Sequence, residues 1–315
     1  MSCGRWNTAL DEFALIARYF RWPPQREQTR LAGGDDAALL APPPGQVLAI
    51  STDTLLAGRH YDASIRPEDL GWKALAVNLS DLLAMAAEPL AFTLALSLPE
   101  ADEAWLQGFA AGLRAHAQAA SVDLIGGDTT RGPQAITITV FGAVPAAQAL
   151  RRDGARPGQG VYVSGPLGDA ALALRLGAQA PAALRRKLDR PEPPLRAWRG
   201  LRGHAAAGID LSDGLSADLG HVLRASGVGA TLEWAALPRS AAFAAAGATA
   251  ALQRESLLHG GDDYELLVAA DAEPPAPRPG QGWMRIGRIE AEPGLRLREQ
   301  DGTVADLTPA AWTHF

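Results

Sequence analysis

The spacing of apolar and polar positions switches repeatedly between helical and strand periods, which predicts interleaved elements rather than one repeated unit. In TALDEFALIARYF (8–20), Leu10, Phe13, Ala17 and Phe20 fall on one helical face, with Asn7 or Thr8 available as N-cap. QVLAIST (46–52) reads as a buried strand that runs into a polar end. Pro67 stands where a first helical turn tolerates it, and residues 67–87 then read as one long helix. FTLALSL (92–98) reads as a strand, and residues 101–120 as a helix with Leu106, Phe109 and Leu113 inward. VDLIGG (122–127) and AITITVFGAV (135–144) read as strands.

Between Pro145 and Gly160 the pattern breaks into PAAQALRRDGARPGQG, rich in Pro, Gly and Arg, which marks a domain junction. Beyond it, VYVSG (161–165) restarts a strand, and helices are expected at 168–177, 181–189 and 195–205. GIDLSDGLSADLGHVLRASG (208–227) reads as strand, polar turn and helix. ATLEW (230–234), ELLVAA (265–270) and GWMRIGRIE (282–290) carry strand signals, and Asp-Gly in LRLREQDGTVADL predicts a closing hairpin. The expected class is α/β, layered in α+β fashion, with two domains spanning 1–148 and 149–315.

Composition narrows the partners. The 315 residues are 47% apolar, enough for packed cores, but only 6% aromatic, which argues against a base-stacking surface. Net charge is −6 with no basic block, so nucleic acid is not expected as a partner. A single cysteine, Cys3, excludes a disulfide framework within one chain and a Cys-based zinc cluster. The start lacks the apolar core of a signal peptide, and the most apolar run, AAFAAAGATAAL (241–252), is too short for a bilayer. A soluble, cytoplasmic protein without a membrane partner is the expectation.

The chemistry lies in acids set beside Gly, Ser and Thr: GGDD (33–36), STDT (51–54), NLSD (78–81), GGDTT (126–130) and DLSDG (210–214). Magnesium takes hard oxygen ligands and keeps waters, so its sites use carboxylates, hydroxyls and phosphate oxygens. Small neighbours let phosphates approach the backbone amides. Each motif alone also has an ordinary reading: GGDD as a turn, STDT and DLSDG as caps. Asp81 is different, because Val77, Leu79, Leu82 and Leu83 surround it and a buried charge needs a partner. Five such stretches together favour a polycarboxylate magnesium site. No G-x-x-x-x-G-K-[ST] loop, G-x-G-x-x-G, kinase catalytic loop, G-x-S-x-G or H-E-x-x-H is present, so nucleotide binding must run through metal bridges.

In order and spacing, EFALIARYF (12–20), STDTLLAGRHY (51–61), KALAVNLSDLLAMAAEP (73–89), LIGGDTTRGP (124–133), IDLSDGLSADLGH (209–221), GGDDYELL (260–267) and WTHF (312–315) resemble the thiamine-monophosphate kinase family of the AIR synthetase-related ATP-binding superfamily. The resemblance covers essentially the whole chain. It implies ATP-dependent phosphorylation of thiamine monophosphate to thiamine diphosphate, with several Mg²⁺ ions, on a homodimer paired through its N-terminal sheets. Asp36, Ser51, Thr52, Asp53, Asp81, Asp128, Asp210 and Asp213 are the implied metal shell. Gly127, Asp128, Arg152 and Ser212 are the implied ATP contacts; His60, Asp262 and Trp312 are the implied thiamine contacts. No catalytic acid or base is implied, since the acceptor is already an oxyanion.

The chain departs from the family at three places. Gly-hydrophobic-Gly-Asp-Asp becomes Ala32-Gly33-Gly34-Asp35-Asp36; the acid of PGD becomes Gln159; and the Glu of GGED becomes Asp262, one methylene shorter. Two superfamily alternatives need a reactive cysteine, in an N-terminal glycine loop or at the C-terminus, and neither stands here. Another superfamily enzyme and a non-catalytic Mg-nucleotide-binding regulator remain as alternatives.

Overall fold

The computed structural model describes residues 12–310. Helices and strands are mixed throughout, as expected, and the chain divides into two compact units. The first gathers the described residues up to Ala41 with Thr52–Leu75 and Leu90–Val140; the second gathers Pro42–Ser51, Ala76–Pro89 and the described residues from Phe141 onward.

The N-terminal strands are β1 (Thr29–Leu31) and β2 (Leu39–Leu40), a small antiparallel pair, and then β3 (Val47–Leu56), β4 (Glu88–Leu98), β5 (Asp123–Arg131) and β6 (Ala135–Val144). The last four form one sheet in the order β3-β6-β4-β5, in which β4 and β5 run parallel. Two of these strands are longer than the pattern predicts. STDT lies inside β3 and GGDTT inside β5, so these acids sit on strands rather than beyond their ends.

The helix predicted over 8–20 begins outside the described residues; its described part is a short α1 (Glu12–Leu15) that widens into a π-helical turn over Ile16–Phe20. Helix α2 (Pro67–Ala84) ends three residues before the predicted 87, where Ala86 adopts a left-handed φ of 54°. It is buried on nearly every side, Lys73, Asn78 and Ser80 included, which explains its all-round apolar sequence. Helix α3 (Glu103–Ala120) starts on Asp102, whose carboxylate accepts from Ala104 N and Trp105 N. Its Leu106, Phe109 and Leu113 are fully buried, as their spacing predicts.

Strand β3 corrects one expectation. Val47 is 48% exposed and Ile50 58%, although QVLAIST reads as buried. The reason is topological: β3 is an edge strand, and Leu48, Ile50, Thr52, Thr54 and Leu56 along one of its faces are exposed among the described residues.

The second unit is built on seven strands in the order β13-β12-β9-β11-β7-β10-β8. They are β7 (Gly160–Val163), β8 (Ala207–Asp210), β9 (Gly229–Glu233), β10 (Leu266–Ala270), β11 (Met284–Glu290), β12 (Gly294–Arg298) and β13 (Val304–Asp306). Neighbours are antiparallel except β12 and β9. Its helices are α4 (Asp169–Leu176), α5 (Ala182–Asp189), α6 (Trp198–Leu201), α7 (Leu215–Ser226), α8 (Ala241–Ala245) and α9 (Ala250–His259). One apolar core joins Val161, Val163, Leu172, Leu219, Phe243 and Leu267. The predicted hairpin forms, with Thr303 N donating to Asp301 in its turn. The helix expected over 195–205 shrinks to α6. Arg202 leaves helical geometry there, donates to the Ala86 and Ala143 carbonyls and lies over the Trp198 ring.

Candidate functional site

In the first unit two of the three Gly-Gly-Asp stretches meet. The bend Gly33–Asp36 passes over β5, where a Cβ on Gly33 would lie 3.8 Å from the Ile125 carbonyl and 3.9 Å from Gly126 Cα. Gly127 has φ +153°, and a Cβ there would stand 1.8 Å from the Leu94 carbonyl, so the strand can pass only as glycine. Asp36 and Asp128 are exposed. Asp36 N donates to Asp35 Oδ1 at 2.8 Å, which gives Asp35 a turn-forming contact.

On β3, Thr52 shares a 2.9 Å hydroxyl contact with Thr139 of β6, on the opposite face from half-buried Asp53. His60 Nδ1 accepts from Leu56 N at 2.9 Å, which orients the ring and leaves the proton on Nε2.

In the second unit a cavity of about 460 Å³ is lined by Ser51, Asp81, Arg152 and Asp210 on its polar side. Ile50, Leu82, Met85 and Leu150 form its apolar wall. Ser51 Oγ donates to Asp81 Oδ2 at 2.5 Å. Burial raises the Asp81 carboxyl above its usual range, while the Ser51 hydrogen bond and the Arg152 charge pull it back. Asp210 ends β8 at 5% exposure. Arg152 is exposed, and its carbonyl accepts from Ser226 Oγ at 2.9 Å.

The turn after Asp210 is held from within. Asp213 N and Gly214 N both donate to Asp218 Oδ2 at 3.0 Å. Burial, then the nearby Asp213 charge, lifts Asp218 to about 7, against those two backbone bonds and Arg152. Ser212 presents its carbonyl to Asp262 N at 2.9 Å.

That contact leads to the third Gly-Gly-Asp stretch. Asp262 takes a left-handed φ of 66°, which Asp tolerates better than Glu, and accepts from the Tyr264 hydroxyl at 2.9 Å. Asp263 Oδ1 accepts from Gly168 N at 2.9 Å, while its enclosed Oδ2 has no hydrogen-bond partner among the described residues. Burial holds this carboxyl well above the ordinary range, and Glu265, Asp169 and Asp262 add to the effect. Gln159, in place of the family acid, accepts from Arg156 N at 2.9 Å and so serves its own turn.

Ser51, Asp81, Arg152 and Asp210 thus share one cavity, with Asp213 beside Asp218 and Ser212 tied to Asp262. Asp36, Thr52, Asp53, His60, Gly127 and Asp128 belong to the first unit. Trp312 lies outside the described residues. Among the described residues no three His, Cys, Asp or Glu side chains form a ready metal cluster. The cavity offers the carboxylates of Asp81 and Asp210 and the Ser51 hydroxyl, with Asp153 paired to Arg151 beside them; these are hard oxygen donors without thiolate or imidazole, and this fits Mg²⁺ completed by waters and phosphate oxygens. Two features escaped the sequence reading: the apolar wall, and Asp218, whose only signal was an acid four residues past the glycine of DLSDG.

A family model described as AIR synthase related protein, N-terminal domain, matches residues 34–144. Over 276 residues, 84% of this chain and 82% of its relative, the sequence is 48% identical to thiamine-monophosphate kinase of Salmonella typhimurium. The crystal structure of thiamine-monophosphate kinase from Stenotrophomonas maltophilia is similar at TM-score 0.80 and 43% identity, covering 89% of this chain and 93% of that one. AaThiL complexed with AMPPCP and TMP is similar at TM-score 0.77 and 30% identity, covering 89% and 91%.

Proposed function

The chain belongs to the thiamine-monophosphate kinase family, and on that premise we propose that it transfers the γ-phosphoryl group of ATP to thiamine monophosphate, giving thiamine diphosphate and ADP. The observation that carries this reading is the cavity that joins Ser51, Asp81, Arg152 and Asp210 to an apolar wall. Its polar side suits phosphates and a hydrated cation, and its wall suits a ring. A relative holding AMPPCP and TMP together supports the same substrate pair.

Transfer between two phosphates brings like charges together. At about 4 Å, two unit charges repel by about 4 kcal/mol at an effective dielectric near 20. In the second unit Asp81, Asp210, Ser51 and Asp213 would hold Mg²⁺; in the first, Asp36, Thr52, Asp53 and Asp128 are the proposed cation ligands. Bound Mg²⁺ supplies compensation for phosphate charge. Arg152 offers a planar fork to a phosphate oxygen pair. Ser212 and Gly127 present small surfaces to ATP, while His60, Asp262 and Trp312 hold the thiamine side. The acceptor oxygen is ionised at neutral pH, so no side chain has to remove a proton. In-line transfer without a phosphoenzyme follows, and catalysis is positioning plus charge neutralisation.

A homodimer paired along the first sheet is part of this reading. The exposed apolar Val47, Leu48, Ile50 and Leu56 on edge strand β3 support it. Sedimentation at micromolar concentration should give twice the chain mass. For the reaction, purified protein with Mg-ATP should form thiamine diphosphate from thiamine monophosphate and leave free thiamine essentially untouched. A yield no greater than that of Asp128→Ala would overturn the kinase reading.

A further inference from the structure

The turn Asp210–Gly214 is an unlikely shape for a peptide to hold unaided. Gly214 has φ +116°, and a Cβ there would stand 2.9 Å from the His259 carbonyl carbon and 3.0 Å from the Gly260 oxygen. The chain is pressed against the end of α9 and the loop after it. One atom receives the N–H groups of Asp213 and Gly214: Oδ2 of Asp218, at 3.0 Å from each. Asp218 is 2% exposed, so its carboxylate meets these donors out of contact with bulk solvent. Its own position is fixed by α7, on which Leu215, Leu219 and Val222 are fully buried.

We propose that Asp218 is a positioning residue for the phosphoryl-transfer site, holding the turn that carries Asp210, Ser212 and Asp213 in its cation-binding shape. This rests on the reading of Asp210 and Asp213 as cation ligands given above. Among the described residues Asp218 accepts its hydrogen bonds from backbone N–H groups, and the role given to it is support of the turn rather than coordination. Its action is geometric: with the carboxylate gone, the buried Gly214 N–H and the part-buried Asp213 N–H lose their acceptor, and the turn relaxes towards solvent. The carboxylates of Asp210 and Asp213 then spend less time aimed at a shared cation, and affinity falls while the ligands themselves are intact. A carboxamide at this position keeps one acceptor oxygen for the same two N–H groups, whereas alanine keeps none.

The experiment compares Asp218→Ala, Asp218→Asn and Asp210→Asn in the full chain. Mn²⁺ affinity is read by electron paramagnetic resonance of the free ion in the presence of a non-hydrolysable ATP analogue, with thermal unfolding in parallel. Asp218→Ala should weaken Mn²⁺ about tenfold or more, by the cost of a lost preorganised geometry. Asp218→Asn should stay within about threefold of wild type for the same reason. In turnover, excess Mg²⁺ should restore most of the activity of Asp218→Ala and little of that of Asp210→Asn. A folded Asp218→Ala with wild-type Mn²⁺ affinity, or equal losses in the alanine and asparagine variants, would overturn the proposal. Unchanged affinity in Asp210→Asn would overturn the cation reading itself and this proposal with it. Where the alanine variant does not fold, Asp218→Glu decides. It keeps the charge but displaces the acceptor by one methylene, and it should bind Mn²⁺ several-fold more weakly; wild-type affinity overturns the proposal.

Discussion

Asp36 and Asp128 stand in water on glycine-rich backbone, whereas Asp81, Asp210 and Asp218 are drawn into protein, where a hydroxyl donates to Asp81 and two amides donate to Asp218. The two regions use the same residue types, yet they solve different problems. In the first unit, exposed acids carry no desolvation penalty and depend on glycines for access. In the second, burial makes the carboxylates of Asp81 and Asp218 costly in their charged form, and donors are built around both before any ligand arrives. The comparison teaches that a motif's letters do not fix its energetics; the solvent around it does.

The sharpest way to break this contrast is to remove one acid from each region. Asp128→Ala and Asp81→Asn should each lower kcat/KM by roughly a hundredfold to a thousandfold, a usual loss for a group that stabilises developing charge. Their stabilities should differ. Asp128→Ala should leave Tm nearly unchanged, while Asp81→Asn should raise the Tm of the ligand-free protein at pH 8, because it removes a charge that burial disfavours. A fall in Tm for Asp81→Asn would put that carboxylate in the scaffold instead.

Next in size is Gly127→Ala. The side chain would meet the Leu94 carbonyl, and the backbone would be left in a region that L-residues avoid. A destabilisation of roughly 2–3 kcal/mol is expected from denaturant unfolding. An effect below 0.5 kcal/mol, the scale of an ordinary surface change, would mean that the strand passes β4 more loosely.

The smallest effect is a slope. Asp218 and Asp263 have carboxyls raised in the folded chain, Asp218 from 3.8 to about 7. A raised group contributes stability that is complete below its unfolded value and is lost as pH climbs through its folded one. Ligand-free Tm should therefore fall between about pH 4 and about pH 7, more gently in Asp263→Asn. A flat profile in both proteins would remove the electrostatic half of the comparison.

Much of this architecture could be read from residue order. Asp102 before a 3.6-residue apolar stripe announces α3, and Asp-Gly between short alternating runs announces the closing hairpin. The acids beside small residues also stood out, because Ser, Thr and Gly next to Asp serve no apolar packing. Strand β3 was misread because both of its faces carry apolar side chains, and position at a sheet's edge leaves no mark on local alternation. Asp218 was passed over because its partners are backbone N–H groups, which every sequence has. The apolar wall of Ile50, Met85 and Leu150 joins three distant segments, and only folding brings them together.

The backbone bonds between DLSDG and GGDDYE carry one more consequence. Asp262 N reaches the Ser212 carbonyl, Tyr264 N the Leu211 carbonyl, and Leu211 N the Glu265 carbonyl. The turn proposed for cations and the loop proposed for thiamine phosphate are therefore one hydrogen-bonded body. Neither can be displaced without the other. Thermodynamic linkage then applies in both directions: whatever factor a bound cation lends to acceptor affinity, the acceptor returns to the cation.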